Sequence, residues 1–369
     1  MSTPDLLYTA DEDDLRTAVR RLLDAQSPWQ TVLHCIESDD VYDADLWRRL
    51  ATEVGAAGLA VPEAAGGAGA SWREAAVVAE EVGRAVAPVP FLTSACLAVA
   101  LLLAIDETEL LTALASGQQT AAVVVPLSTA PGSAFPESVR VTDQLLTGTM
   151  TSVADALTAG LLLVPVVEAS GPAIYVVDPN ATGVQLNPVV ALDLTRPLAG
   201  VRFDGALGRR LVGGPAAAAA LDSALTIGAA LLASEQLGLA ERCLEMTVEY
   251  LRTRYQFGRP IGSFQSLKHR LADLWTSISQ ARAVARYAAA CVADHDPDTA
   301  VAVAVAQAHA SGVAVRAAEE CVQMHGGIGF TWEHPAHLYL KRAKSDSIAL
   351  GTPDQHRTAL AQLVDLPAA

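Results

Sequence analysis

Apolar residues along this chain change their period twice. Up to about residue 118 they recur at helical spacing. In DADLWRRLATEVGAAGLAVPE, Leu46, Leu50, Val54 and Leu59 share one stripe, and Gly55, Gly58 and Pro62 end it. SWREAAVVAEEVGRAV predicts a second helix with Ser71 as its N-cap. The most hydrophobic run, Phe91 to Ile105, is about fifteen residues long, short of the roughly twenty needed to cross a bilayer. It predicts a buried helix.

From 119 to 215 the texture becomes short runs of Val, Leu, Thr and Ile, punctuated by Pro, Gly, Asp and Asn. TAAVVVPLS, SVRVT, LLTGTM, AGLLLVPVV, AIYVVD, GVQLNPV and GVRFDGA predict an antiparallel β domain of six to eight strands. From 216 onward helices return. Leu237, Leu244, Val248 and Leu251 form an apolar stripe, with Glu241, Glu245 and Glu249 on another face. DTAVAVAVAQAHASGVAVRAAEECVQ alternates like a strand, but its alanine content and length predict a helix capped by Asp298 or Thr299. The expected fold is mainly α: a helical domain over 1–118, a β domain over 119–215 and a helical domain over 216–369.

Composition narrows the function. Lys and Arg number 25 against 41 Asp and Glu, a formal net charge of −16. That excess excludes a nucleic-acid surface and adsorption to anionic membranes. Cys35, Cys96, Cys243, Cys291 and Cys321 are scattered without a CxxC pair, as expected of buried thiols in a reducing compartment. The acidic N-terminus lacks a signal pattern, so a cytoplasmic protein is expected. The eight histidines do not fall at ligand spacing near the cysteines, so no metal site is predicted. The glycines of PEAAGGAGAS follow no strand and lack GxGxxG spacing, so they predict a loop between helices.

Against this acidic background, Arg252, Arg254 and Arg259 crowd into YLRTRYQFGRPIGSFQ. Gly258 and Pro260 end the preceding helix, which puts Arg254, Gln256 and Phe257 at its C-terminal edge. Arginines there complement the helix dipole at the least. Further on, CVQMHGGIGFTWEHP ends another helix with Gln323, Gly326, Gly327 and Gly329. Three glycines in four residues permit a tight turn and close approach of a ligand to backbone amides.

Together, RYQFGRPIGSFQ and QMHGGIGF resemble the acyl-CoA dehydrogenase family, as do VPEAAGGAGAS and the order helices, β domain, helices. The resemblance implies a C-terminal four-helix bundle and FAD at a subunit interface. It also implies that the two motifs of one subunit hold the adenosine diphosphate half of a flavin seated mainly in another. On that reading Arg254 pairs with the pyrophosphate, Phe257 packs on the apolar side, and Gln256 and Gln265 donate hydrogen bonds. Gln323, Gly326 and Gly327 supply the turn against pyrophosphate and ribose.

The family removes hydrogen from Cα and Cβ of an acyl-CoA thioester, which needs a carboxylate base facing the flavin. One branch places a glutamate before Gly-Thr; here Leu350 precedes Gly351-Thr352. Another places it earlier on the long interface helix; here that position is Gly228. No catalytic residue is therefore assigned, and Glu235 reads as structural. The segments that seat the flavin ring are also depleted: PLSTAPGSAF is a remnant at best, and Ser152-Val153-Ala154 lacks the aromatic and the threonine.

The expectation is a non-catalytic subunit of an FAD-dependent acyl-CoA dehydrogenase, in an α2β2 heterotetramer with a catalytic partner that binds most of the acyl-CoA. Bulky thioesters such as steroid side chains are the implied substrates. The alternatives are a self-sufficient homotetramer with a relocated base (Glu235 or Asp354) and a family fold used only for assembly.

Overall fold

The computed structural model describes residues 6–38 and 42–366. It opens on three helices: α1 (Ala10–Gln26), α2 (Trp29–Glu37) and α3 (Ala44–Glu53). Thr9 and Glu12 form a reciprocal capping box at α1, and Asp43 caps α3. Helix α4 (Trp72–Ala85) starts where the sequence predicts, with Ser71 as N-cap and Glu74 completing the box. Phe91–Ala98 is wound as a π-helix and runs into α5 (Val99–Leu103), buried almost throughout; α6 (Thr108–Ala115) follows.

Among the described residues, eight strands form the sheet: β1 (Ala121–Val123), β2 (Val139–Thr142), β3 (Leu145–Ala154), β4 (Leu161–Glu168), β5 (Gly171–Val177), β6 (Val184–Val189), β7 (Leu198–Leu207) and β8 (Arg209–Gly213). Their order is β6-β7-β3-β2-β4-β5-β8, with β1 beside β4. The prediction of a wholly antiparallel sheet needs correcting, because β1 and β2 both pair with β4 in parallel. Strand β1 enters straight from the helices without a hairpin and is buried at all three residues, as parallel strands tend to be. Alternate side chains serve two cores. Leu162, Val164 and Val166 pack with Phe203 inside the sheet's own core, while Leu163 points into the core it shares with the helices.

The rest is helical: α7 (Pro215–Thr253), α8 (Gln265–Ala293), α9 (Thr299–His325), α10 (Ala336–Asp346) and α11 (Pro353–Leu363). Between α7 and α8 sits a hairpin of β9 (Tyr255–Gln256) and β10 (Arg259–Pro260). Asp298 occupies the N-cap position of α9, but its side chain makes no cap bond. Helices α7 and α9 are long and apolar enough to cross a membrane, yet most of their residues are buried inside the fold. Helix α7 crosses α4 at backbone contact. A Cβ at Gly238 would lie 1.8 Å from the Glu80 carbonyl oxygen, and one at Gly83 would lie 2.0 Å from that of Glu235.

The sheet is fastened to the helices by charge. Arg196, just before β7, donates to Asp346 at 2.6 Å and to Glu235 at 2.7 Å. Arg342 on α10 donates to Glu235 at 2.7 Å and to Thr195 Oγ1 at 2.7 and 2.9 Å. Asp193 Oδ2 lies 2.9 Å from Arg342 Nε, although that N–H is aimed at Thr195. None of these six side chains is more than about 4 % exposed. Burial alone would raise the Glu235 carboxyl, but the two guanidiniums outweigh it and hold Glu235 below the usual range. Asp346 goes the other way. Burial and the neighbouring Glu235 push it up to about 7, against the pull of Arg196 and Arg342.

This sets a pH dependence. An ordinary unfolded Asp titrates near 4, so folding binds the Asp346 proton more tightly than the unfolded chain does. The stabilisation is complete below about pH 4 and is lost as pH rises to about 7. Urea midpoints of the wild type should therefore fall across this window. In Asp346→Asn the fall should be shallower by up to about 1.4 kcal/mol per pH unit. Parallel profiles for the two proteins would show that Asp346 is ionised throughout.

Candidate functional site

Helix α7 ends at Thr253 and Arg254 turns into extended backbone. The sequence places Arg254, Gln256 and Phe257 on a helix edge; the structure instead sends them into the β9–β10 hairpin, closed at its base by Ile261 N–H donating to the Arg254 carbonyl at 2.8 Å. The hairpin is hidden from sequence reading because its turn puts Phe257 at φ 54°, where side-chain-bearing residues are uncommon. Gln265 is the first residue of α8.

The second motif closes α9. Tyr250 and His325 stack with ring centroids 4.4 Å apart, which brings the ends of α7 and α9 together. Of the three glycines only Gly326 has positive φ, at 62°. A Cβ on Gly326 or Gly327 would meet open space, whereas one on Gly329 would lie 2.6 Å from the Val322 carbonyl oxygen. Arg254, Gln256, Phe257, Gln265, Gln323, Gly326 and Gly327 are all exposed. Arg252, Arg254 and Arg259 form no ion pair among the described residues. An exposed guanidinium such as that of Arg254, beside exposed backbone and amide donors, suits phosphate oxygens, so this surface fits the pyrophosphate half of a dinucleotide.

The inner half of the site is different. Leu350 and Gly228 do converge, since a Cβ on Gly228 would stand 3.2 Å from Leu350 Cδ1. The same Cβ would stand 2.4 Å from Leu97 Cδ2, so Leu97 already fills the spot. Leu350 is 1 % exposed. Its N–H donates to the Leu127 carbonyl at 2.7 Å, and the Leu127 N–H donates to the Ser152 carbonyl at 2.9 Å. The backbone of Leu127 thus bridges the base position and the ring-side position. Further along that loop, Gly132 N–H is held by Asp222 at 2.6 Å. His356, whose imidazole burial holds below its usual pKa, donates to the Leu350 carbonyl at 2.9 Å.

The positions expected to face an isoalloxazine carry Ser152 and Ala154, which offer it no aromatic face. Nor does a replacement base stand free. Glu235 is spent on Arg196 and Arg342, and Asp354 is exposed and paired with Arg357 at 2.6 Å. Sequence reasoning missed Leu97 and Leu127 as the filling; the remnant PLSTAPGSAF was the available signal.

The family description "Acyl-CoA dehydrogenase, N-terminal domain" matches residues 9–116, and "Acyl-CoA dehydrogenase, C-terminal domain" matches residues 218–364. The acyl-CoA dehydrogenase IpdE2 of Mycobacterium tuberculosis is 39 % identical over 340 residues, covering 92 % of each chain. A chain of the ChsE4–ChsE5 complex from Mycobacterium tuberculosis is 30 % identical with a TM-score of 0.87, covering 99 % of this chain and all of that one. A variant of the Tcur3481–Tcur3483 steroid ACAD gives 31 % identity and a TM-score of 0.84, covering 96 % and 98 %. The chain belongs to the acyl-CoA dehydrogenase family.

Closure of the inner pocket has a measurable consequence. In Leu350→Glu the carboxylate enters a buried site packed by Leu97 against Gly228. The urea midpoint at pH 7 should drop by an amount equivalent to about 3 kcal/mol or more. Leu350→Met, which conserves volume, should cost less than about 1.5 kcal/mol. A glutamate variant as stable as the wild type would mean that water reaches the pocket.

Proposed function

We propose that this member of the acyl-CoA dehydrogenase family is a subunit of an FAD-dependent acyl-CoA dehydrogenase whose partner subunit carries the chemistry. The supporting observation is the contrast within one chain: a closed inner pocket and an open, uncompensated outer surface. That pocket offers no proton acceptor at Leu350 or Gly228. The outer surface has the residues that reach another subunit's cofactor.

In this reading FAD, when bound, supplies the hydride acceptor for desaturation of the thioester. The chain's own residues bind and orient it. Arg254 pairs with the pyrophosphate through its planar fork, and Gln256 and Gln265 donate hydrogen bonds. Phe257 covers an apolar flank. Gln323, with the backbone of Gly326 and Gly327, lines the turn against phosphate and ribose. The proton at Cα is removed by the partner, because Leu350 and Gly228 offer no acceptor.

The likeness to the ChsE4–ChsE5 complex supports a heteromer, here an α2β2 heterotetramer. The likeness to the steroid ACAD supports a bulky substrate such as a steroid side-chain CoA thioester, bound mainly by the partner. Mostly buried thiols and an acidic composition suit the cytoplasm. An assembly-only role leaves the unpaired Arg254 and the open Gly326 turn without a purpose.

Purified alone, the chain should be nearly colourless. Co-purified with the family subunit encoded beside it, the complex should be yellow. One flavin per chain in a homomeric preparation would defeat the proposal. In the complex, Arg254→Ala removes a charge-assisted pair of roughly 1.5–3 kcal/mol and should weaken flavin binding by about one to two orders of magnitude. Lysine should restore only part of that. Subunit stoichiometry should stay unchanged, since Leu237 and Leu251 carry the helix packing.

A further inference from the structure

The tip of the β9–β10 hairpin holds an aromatic side chain in a conformation that favours glycine. Arg259 pairs with Gln256 and Pro260 with Tyr255, which leaves Phe257 and Gly258 as a two-residue turn. Their φ values, 54° and 75°, are those of a type I′ turn, which ordinarily selects Asn-Gly or Asp-Gly. Phenylalanine is strained there. Its ring is 91 % exposed, so burial within the chain does not offset the strain.

Two ring contacts hold the tip. The Arg259 guanidinium lies 3.9 Å from the centroid of Phe264, within the range of a strong cation–π contact. Phe264 in turn meets Phe257 edge-on, with centroids 6.1 Å apart and planes at 85°. Phe264 is itself anchored, because its N–H donates to the Ile261 carbonyl at 3.1 Å and its own carbonyl accepts from Lys268 at the start of α8. Arg259 has no carboxylate partner among the described residues, so its commitment is to the ring. Among the described residues the Arg254 side chain meets neither a carboxylate nor a ring.

We infer that Arg259 is a positioning residue, acting through Phe264 to hold Phe257 out toward a flavin-bearing partner, while Arg254 alone takes the phosphate charge. This rests on the proposed FAD-contributing role. It divides one motif into a ligand and a brace. A stacked brace predicts non-additive substitutions and no salt signature; an anion ligand predicts the reverse.

The test is a double-substitution cycle in the flavin-holding complex, read as FAD affinity at several salt concentrations. Arg259→Ala and Phe264→Leu should each weaken FAD by about three- to fivefold, and the double variant should be no weaker than the worse single one. Salt dependence should stay as in the wild type for both, and should shrink in Arg254→Ala, which loses an ionic contact. Melting temperature and stoichiometry should not move. Hydrogen exchange at the amides of Gln256 and Arg259, measured on the chain alone without flavin, should speed up in both single variants. Additive effects, an unaffected Phe264→Leu, a reduced salt slope in Arg259→Ala, or unchanged exchange would each overturn the brace. If Arg254→Ala leaves FAD binding intact while exchange still quickens, the brace stands and the FAD-contributing role falls.

Discussion

Two guanidiniums shared among three carboxylates, all withdrawn from water, fix where the sheet sits on the helices. Buried ion pairs repay their desolvation only when geometry is good and the remaining donors are satisfied. Arg342 meets that condition, with Nε, Nη1 and Nη2 all engaged by Thr195 and Glu235. Removing one partner would leave a buried charge uncompensated, a loss of about 3–5 kcal/mol. The network joins the entry to β7, the middle of α7 and the end of α10, segments up to 150 residues apart. It also decides what Glu235 is. A carboxylate gripped by two arginines and held below its usual pKa is a poor proton acceptor.

Fixing the end of α10 has a further effect four residues on. Leu350 is delivered against the Leu127 loop, and its N–H is consumed there. Leu97 fills the remaining space from the π-helical segment. Leu97 and Leu350 thus pack together at Gly228, and Leu350 is tied to the Leu127 backbone.

Much of this was legible in the sequence, and the exceptions have physical causes. Ser71 announced its helix because a capping box is local. Leu350 and Gly228 stood out because motifs fix their positions in the chain. The Arg196–Glu235–Arg342 network left no sequence signal, since its members meet only after the sheet has docked. The parallel pairing of β1 was hidden because a run such as AAVVV fits a buried strand of either direction. The hairpin was hidden because Phe257 disobeys local preference, and such disagreement between a residue and its backbone marks sites that answer to something outside the chain.

Helix α7 sets the distance between the Gly228 pocket and the arginine surface. Gly228 lies in its first half and Arg254 directly follows its end, separated by about 39 Å of helix. No side chain spans that distance, so the pocket and the arginine surface are not two ends of one site within a chain. Between them Ala229 to Leu239 are buried without a break and clamp α7 against α4 through Gly83 and Gly238. That rigid stretch insulates the two ends. Filling the pocket with Leu97 and Leu127 therefore leaves the hairpin's geometry untouched. The hairpin needs only the end of α7, the start of α8 and its own ring contacts. Closure of the pocket and exposure of Arg254 are then independent properties, and a chain can carry the first without giving up the second.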